Sequence, residues 1–472
     1  MKKGVIVEKI EVKSMAAEGK SLARVGDQVL FIPGVAPGDI LDIKITRKRK
    51  NYLEGIPVHF HSYSQDRTAP FCNYFGLCGG CKWQHVSYAR QLAYKHQQVK
   101  DNLERIGKIP VPEGVSIIGC EHQTHYRNKL EFTFSDSRWF TSEEINSGEK
   151  LVSKALGFHI PGRYDKVLDI YECHLQRDPS NSIRNAVRSF AFDHHLTFFN
   201  FKSRKGLLRN LIIRTSSQNE TMVILQINSD KVAPIEPLLI FLEEKFPEIT
   251  SLNYILNTKA NDSYFDQEVI HFSGSTYITE TMPRSAVVGK PFTFRVGPKS
   301  FYQTNSKQAV QLYAEALKMA GLTGNEVVYD LYCGTGTISC YVAPYAKKVI
   351  GVEYIPEAIE DARVNAKVNK INNTEFIAGD VQMLLTDDLI NRQGIPNVII
   401  TDPPRAGMQK NVVSKLLSIA PERIIYISCN PATQARDVEW LSEKYSLINY
   451  QPIDMFPHTH HIENIVQLDL IK

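Results

Sequence analysis

Apolar and polar positions follow three different patterns along the chain. Residues 1–60 hold short apolar or alternating runs at 5–10, 22–25, 28–32, 39–46 and 52–58, with Gly, Pro or Asp between them. Such runs, punctuated by turn formers like Pro33-Gly34 and Pro37-Gly38, predict strands. Five in so short a span predict a small β-barrel of the oligonucleotide-binding type. Over 84–106, Tyr88, Leu92, Lys95, Val99 and Leu103 recur at helical spacing, and Gly107 with Pro110 ends the run. Residues 115–295 mix both periods and predict an α+β region without a readable topology. Within it, 136–166 carries few signals and reads as an insertion or a mobile loop. Beyond residue 300 a helix at 306–320 precedes strands at 327–331, 348–353, 375–378, 397–401, 423–428, 447–455 and 464–470, the earlier ones separated by helices. That alternation predicts an open, mostly parallel Rossmann-like α/β sheet, with its ligand at the carboxyl ends of the strands. The expected division is a barrel over 1–60, a middle unit over 61–295 and an α/β domain over 296–472, with the 84–106 helix packing on the last.

Composition narrows the class. The 472 residues are 43% hydrophobic and 22% charged, the balance of a soluble chain of several domains. No apolar run is long enough to cross a bilayer. The Met1-Lys2-Lys3-Gly4-Val5-Ile6-Val7-Glu8 start is not that of a secretory signal, so a cytoplasmic location is expected. Net charge is only +4, but residues 1–60 hold eleven Lys/Arg against seven Asp/Glu, with Arg47-Lys48-Arg49-Lys50 at the centre of the excess. Eight cysteines without an export signal point away from disulfides and towards metal ligands or reactive thiols.

The α/β region carries the chemistry. Asp330-Leu331-Tyr332-Cys333-Gly334-Thr335-Gly336-Thr337-Ile338 is a Gly-rich turn between a strand and a helix, where small residues let the backbone approach a ligand. It lacks the full dinucleotide fingerprint, and the chain has no phosphate-cradling G-x-x-x-x-G-K-[ST]. Glu353 ends the next strand, where a carboxylate can accept from both ribose hydroxyls, and Asp380 follows the third, near an adenine edge. The set predicts an adenosyl ligand. Asp402-Pro403-Pro404-Arg405 closes the fourth strand, a motif expected beside a transferred methyl group. Cys429, in Ser428-Cys429-Asn430-Pro431, stands at the tip of the fifth, where a buried core thiol would not be placed. Carbon 5 of uracil is a poor nucleophile. A thiolate adding at carbon 6 makes it an enolate that can take a methyl group, after which a base must remove the carbon 5 hydrogen. Glu463 and the histidines of the 456–463 segment, expected to be a loop, are the candidate bases.

Taken together, Phe301-Tyr302-Gln303-Thr304-Asn305, the 330–337 turn, Asp402–Gly407, Ser428–Pro431 and Phe456-Pro457-His458-Thr459 with Glu463 resemble the signature blocks of the RNA 5-methyluridine methyltransferases. Within that family they are most similar to the bacterial 23S ribosomal RNA enzymes that carry an iron–sulfur cluster, the RlmD/RumA group. The resemblance implies S-adenosylmethionine as methyl donor, Cys429 as nucleophile and Glu463 as proton-abstracting base. Gln303, Tyr332, Thr337, Glu353, Asp380 and Asp402 would contact the donor, and Phe301 would pack near the target base. The amino-terminal barrel resembles a TRAM domain. Arg47–Lys50 and Tyr52 would then contact RNA, with Arg127, Lys129 and Arg204-Lys205 as further phosphate candidates. Ribosomal RNA is the expected substrate, bound by a monomer with the uridine turned out of its stack; transfer RNA is the alternative.

Cys72, Cys78 and Cys81 form a C-x5-C-x2-C group. Four thiolates suit either zinc or a 4Fe–4S cluster, and Cys120 and Cys173 are free to be the fourth ligand. The family pattern implies Cys173 and a structural 4Fe–4S cluster. Two other readings compete: methylation of a base amine, which leaves Cys429 and Glu463 idle, and a non-enzymatic RNA-binding or assembly factor.

Overall fold

The computed structural model describes residues 3–261, 263–284 and 290–471. Met1 and Lys2, which open the segment read for an export signal, lie outside them. The amino-terminal runs form six strands rather than five: Ile6–Glu11, Ser14–Met15, Ser21–Val25, Gln28–Ile32, Ile40–Lys48 and Tyr52–Ser62. The 6–15 stretch pairs first with Ile40–Lys48 and then with Ser21–Val25, so it joins both edges and closes a barrel around Leu30, Leu41, Ile43 and Leu53.

The carboxyl-terminal sheet has seven strands in the order Thr374–Ala378, Lys348–Glu353, Val327–Leu331, Val398–Thr401, Arg423–Ser428, Glu463–Leu470, Tyr445–Ile453. The first five are parallel, and Glu463–Leu470 runs antiparallel to both of its neighbours. Strand order reverses between Val327–Leu331 and Val398–Thr401, which opens a crevice at their carboxyl ends. The helix Ser306–Ala320 begins at Asn305, whose side chain accepts from Gln308 N–H, and stops at Gly321 in the left-handed conformation (φ 61°).

The middle region is a second seven-stranded sheet, ordered Ile270–Gly274, Ile249–Leu256, Thr221–Ile227, Leu208–Thr215, Lys129–Ser135, Ala155–Ile160, Arg163–Asp169, with helices Ser180–Asp193 and Glu236–Lys245 packed against it. One expectation changes here. The 136–166 stretch is no loop: it holds the capped helix Ser142–Asn146 and supplies the Ala155–Ile160 and Arg163–Asp169 edge hairpin. The helix Tyr88–Arg105 packs where expected, burying Val99 and Leu103 in the same core as Tyr329, Ile350, Tyr426 and Val466 of the carboxyl-terminal sheet. Among the described residues, no helix is long and apolar enough to cross a membrane.

Candidate active site

Three of the side chains expected to take part in the chemistry stand at the ends of adjacent strands. Cys429 follows Arg423–Ser428 and precedes the helix Pro431–Leu441, capped by Asn430. Asp402 follows Val398–Thr401, the parallel neighbour on one side. Glu463 is on the other side and is not in a loop. It opens the last strand, paired with Ile453, and the next residue, Asn464, pairs with Ser428. A base held in a ladder has little freedom to drift from its target.

Burial dominates their electrostatics. It raises the Cys429 thiol to about 11, with Glu463 and Asp402 adding to the rise and Arg405 opposing it. Glu463 is pushed well above the usual carboxyl range by burial and then by Asp402. Asp402 is raised to about 7 by burial and by Asp330, and Asp330 itself to about 7 by burial. Acidic groups crowded this way are poised to receive a cation. The nearby histidines move in the opposite sense. Burial lowers His458 and His460 to about 4 and His461 to about 3, so they are neutral and weakly basic. Of the candidate bases, Glu463 is the one whose affinity for a proton is raised rather than lowered.

The loop leading to Glu463 is held from three directions. Lys82 and Trp83 N–H groups donate to His458 O (2.8 and 3.0 Å). Gln91 Oε1 accepts from His458 N–H (2.9 Å), and its Nε2 lies 3.2 Å from His458 Nδ1. Lys95 and Asp454 form a fully buried ion pair (2.6 Å), and Lys95 also donates to Phe456 O (3.0 Å). Tyr126 donates to Pro457 O and Asn305 to Met455 O.

At the cofactor turn, Tyr332 has φ 64° and Gly336 φ 73°. A Cβ on Gly336 would come within 2.8 Å of Ala362 Cβ, so a side chain there is excluded both by space and by backbone conformation. Glu353 accepts from Gly334 N–H (3.1 Å) and Ile355 N–H (3.0 Å), which braces the turn and leaves further lone pairs for a ligand. Gln303 is buried in a segment clamped by Asn128, which donates to Gln303 O, and by Thr335, which donates to Phe301 O. The Thr337 hydroxyl lies 3.1 Å from Tyr313 Oη. Asp380 is exposed, and its carboxylate caps the helix Val381–Leu384 through Gln382 N–H (2.8 Å).

Cys72, Cys78, Cys81 and Cys173 line one cavity of about 160 Å³, together with Arg127, Gln84 and Thr459. Each thiol is raised mainly by burial, Cys78 to about 12 and Cys81 to about 11, with neighbouring cysteines adding to the rise in Cys78, Cys81 and Cys173. A Cβ on Gly79 would meet His159 O at 2.5 Å, so this loop packs directly on the 155–169 hairpin. Among the described residues, no three His, Cys, Asp or Glu side chains converge tightly enough to hold a single ion. Cys120, Cys333 and Cys340 are buried. Two expected phosphate contacts are otherwise engaged: Lys129 is largely withdrawn from solvent and donates to Tyr264 Oη (3.0 Å), and Arg127 lies over the Phe456 ring (5.3 Å). Arg204 and Lys205 are exposed.

Sequence reasoning named Asp330 only as part of the Gly-rich turn, without its full burial, and missed the Lys95–Asp454 pair. A lysine on an apolar helical stripe was the available signal for Lys95.

Residues 266–471 match the tRNA (Uracil-5-)-methyltransferase family model and residues 5–58 the TRAM domain model. An uncharacterized RNA methyltransferase of Bacteroides thetaiotaomicron is 54% identical over 97% of this chain and 100% of its own length. One from Porphyromonas gingivalis is 50% identical over 97% of this chain and 99% of its own length. The solved structure of Pyrococcus abyssi tRNA (uracil-54, C5)-methyltransferase in complex with S-adenosyl-L-homocysteine covers 97% of this chain and 100% of its own, at 25% identity and a TM-score of 0.73. With its TRAM barrel and its carboxyl-terminal sheet, the chain belongs to the S-adenosylmethionine-dependent RNA (uracil-5-)-methyltransferases.

Proposed function

We propose that the enzyme methylates carbon 5 of a uridine in 23S ribosomal RNA through a covalent adduct with Cys429. The observation that carries the reading is the placement of Cys429 and Glu463 at the ends of two paired strands, with Asp402 on the third. S-adenosylmethionine, held by Gln303, Tyr332, Glu353 and Asp402, with Thr337 and Asp380 at its margins, supplies an electrophilic methyl group. The Cys429 thiolate adds to carbon 6 of the uracil, and the ring's electrons move to carbon 5, which would bond to the donor's methyl carbon as the methyl–sulfur bond breaks and its electrons return to sulfur, leaving S-adenosyl-L-homocysteine. The Glu463 carboxylate then takes the carbon 5 proton. The carbon 6–sulfur bond breaks, the double bond re-forms and the thiolate is released. A bound sulfonium would favour the charged form of Asp402 and of Glu463. Phe301 is 64% exposed, free to stack on an unpaired base.

The cysteine cavity fits a 4Fe–4S cluster held by Cys72, Cys78, Cys81 and Cys173. Four thiols around a space of about 160 Å³ suit a polynuclear group better than one ion. When bound, it would tie the 72–81 loop to Cys173 and so firm the Lys82 and Trp83 support of the catalytic loop.

Incubation of the enzyme and a labelled methyl donor with 23S and transfer RNA transcripts, followed by mass-spectrometric mapping, tests the assignment. The expected product is 5-methyluridine in the ribosomal transcript, absent with Cys429→Ala. Methylation confined to transfer RNA would overturn the substrate, and a fully active Cys429→Ala the mechanism.

A further inference from the structure

One short segment, residues 297–305, carries both Phe301 and Gln303, and the middle sheet grips its backbone. Arg214, on the Leu208–Thr215 strand, is 6% exposed. Its Nη1 donates to Gly297 O and its Nη2 to Ser300 O, both at 2.7 Å. We propose that Arg214 is a positioning residue for methyl transfer, its guanidinium holding the 297–305 segment so that Phe301 and Gln303 keep a fixed relation to the site. The inference rests on the roles given to Phe301 at the target base and to Gln303 at the methyl donor.

The bonding leaves this side chain little else to do. Among the described residues no carboxylate pairs with Arg214, and its Nε is buried without a partner. A buried cation facing only neutral acceptors costs stability that an apolar side chain of similar size would spare. What the guanidinium alone offers is a planar fork that reaches two carbonyls at once. Those carbonyls belong to a turn. Ser300 N–H donates to Gly297 O (3.2 Å), Gly297 N–H donates to Ser300 Oγ (2.8 Å), and that hydroxyl donates to Asp361 Oδ2 (2.5 Å). The fork therefore fixes the turn immediately before Phe301.

A second grip comes from beside the first. Asn128 donates through Nδ2 to Gln303 O (2.9 Å) and through its N–H to Thr304 O (2.8 Å). Arg214 pairs with Lys129, the residue after Asn128, and Thr215 N–H donates to Asn128 O (2.8 Å). The two grips thus occupy neighbouring positions of one ladder. From the opposite side, Thr335 of the cofactor turn donates to Phe301 O (3.1 Å). Cys429 and Glu463 stand on other strands, so loosening Arg214 should disturb Phe301 and Gln303 together and leave the reacting groups in place.

The test uses the full chain with Arg214→Met, which removes the donors, and Arg214→Lys, which keeps the charge without the fork. Hydrogen–deuterium exchange should quicken over residues 297–305 in both and stay unchanged in the Pro431–Leu441 helix. Turnover is then measured per binding-competent enzyme, counted by titration with S-adenosyl-L-homocysteine, on the RNA transcript that the wild type methylates. Arg214→Met should lower kcat about thirtyfold, as expected of a misplaced positioning group, and weaken S-adenosyl-L-homocysteine binding about fivefold, the loss of one modest contact. Arg214→Lys should fall between Arg214→Met and wild type, and it carries the test if Arg214→Met does not fold. Unchanged exchange over 297–305 would overturn the proposal. So would faster exchange, or a lower melting temperature, with kcat and donor affinity at wild-type levels, because the arginine would then serve stability alone. Phe301→Ala and Gln303→Ala run alongside separate the two layers. If they are impaired while the Arg214 variants are not, the proposal alone fails; if they too match wild type, the roles assigned to Phe301 and Gln303 fail first.

Discussion

At the scale of single residues, the site is a set of acids kept close by the ends of neighbouring strands. Asp330 shows the cost. It is fully buried, donated to by Ser339 Oγ (2.5 Å) through Oδ2, with Oδ1 unpartnered, and its pKa stands near 7 against an ordinary 3.8. A carboxyl raised on folding stabilises the fold while it is protonated, fully below its unfolded value, and that contribution is lost as pH rises through the folded value. Wild-type protein should therefore melt lower at pH 8 than at pH 5. Asp330→Asn should remove much of the difference, roughly 2–4 kcal/mol, in thermal unfolding followed at both pH values; an unchanged difference would assign the effect elsewhere. The motif residues Cys429, Asp402 and Glu463 were legible because each follows or opens a strand at a recognisable signature. Their mutual influence was not, because it arises from strands distant in sequence. Arg405 lies within the Asp402–Gly407 motif, but its tie to His461, 56 residues on, exists only in the folded chain.

At the scale of elements, legibility followed burial pattern. The Ser306–Ala320 helix and most catalytic strands were readable, with ends shifted by a residue or two, because each alternates with a helix. The middle sheet was not. Leu208–Thr215 and Thr221–Ile227 are buried at every position, so period two is erased. The Ala155–Ile160 strand was hidden by Gly157 and His159, residues that read as a break; a Cβ at Gly157 would collide with Leu168 O at 2.0 Å. The Tyr88–Arg105 helix has a role its periodicity only hinted at, since Gln91 and Lys95 on its buried face hold the loop before Glu463. Lys95→Met leaves Asp454 buried without its cation and should cost about 3–5 kcal/mol in chemical denaturation. Adding Asp454→Leu should restore most of that loss. Equal instability of single and double variants would show that packing, not charge, sets the cost.

At the scale of the whole molecule, the barrel, cysteine loop and catalytic sheet meet at one place. Trp83 Nε1 donates to Gly19 O of the barrel (3.3 Å), while Trp83 N–H supports His458. Sequence could assign each unit but not this junction, because no local pattern encodes how separate units touch. The barrel is thus in direct contact with the support of the loop before Glu463. Arg47, Lys48, Arg49 and Lys50 are exposed at the turn between the two longest barrel strands, whereas the Tyr52 ring packs edge-on against Phe31 (5.6 Å) and is less free to stack. Replacing the four basic residues with Gln should weaken RNA binding and flatten the salt dependence of affinity, by about 0.7–0.9 in log–log slope for each phosphate no longer neutralised. An unchanged slope in filter binding would place the RNA elsewhere.

The proposed mechanism turns on sulfur joining the uracil before the base acts. Glu463→Gln keeps the shape of the base and removes its ability to take a proton, so addition and methylation should proceed while elimination stalls. With labelled RNA and the methyl donor, denaturing electrophoresis should then show a slow-migrating protein–RNA species, methylated at carbon 5 and absent from the Cys429→Ala, Glu463→Gln double variant. A folded, RNA-binding Glu463→Gln enzyme that forms no such species, or one that survives loss of Cys429, would contradict the mechanism.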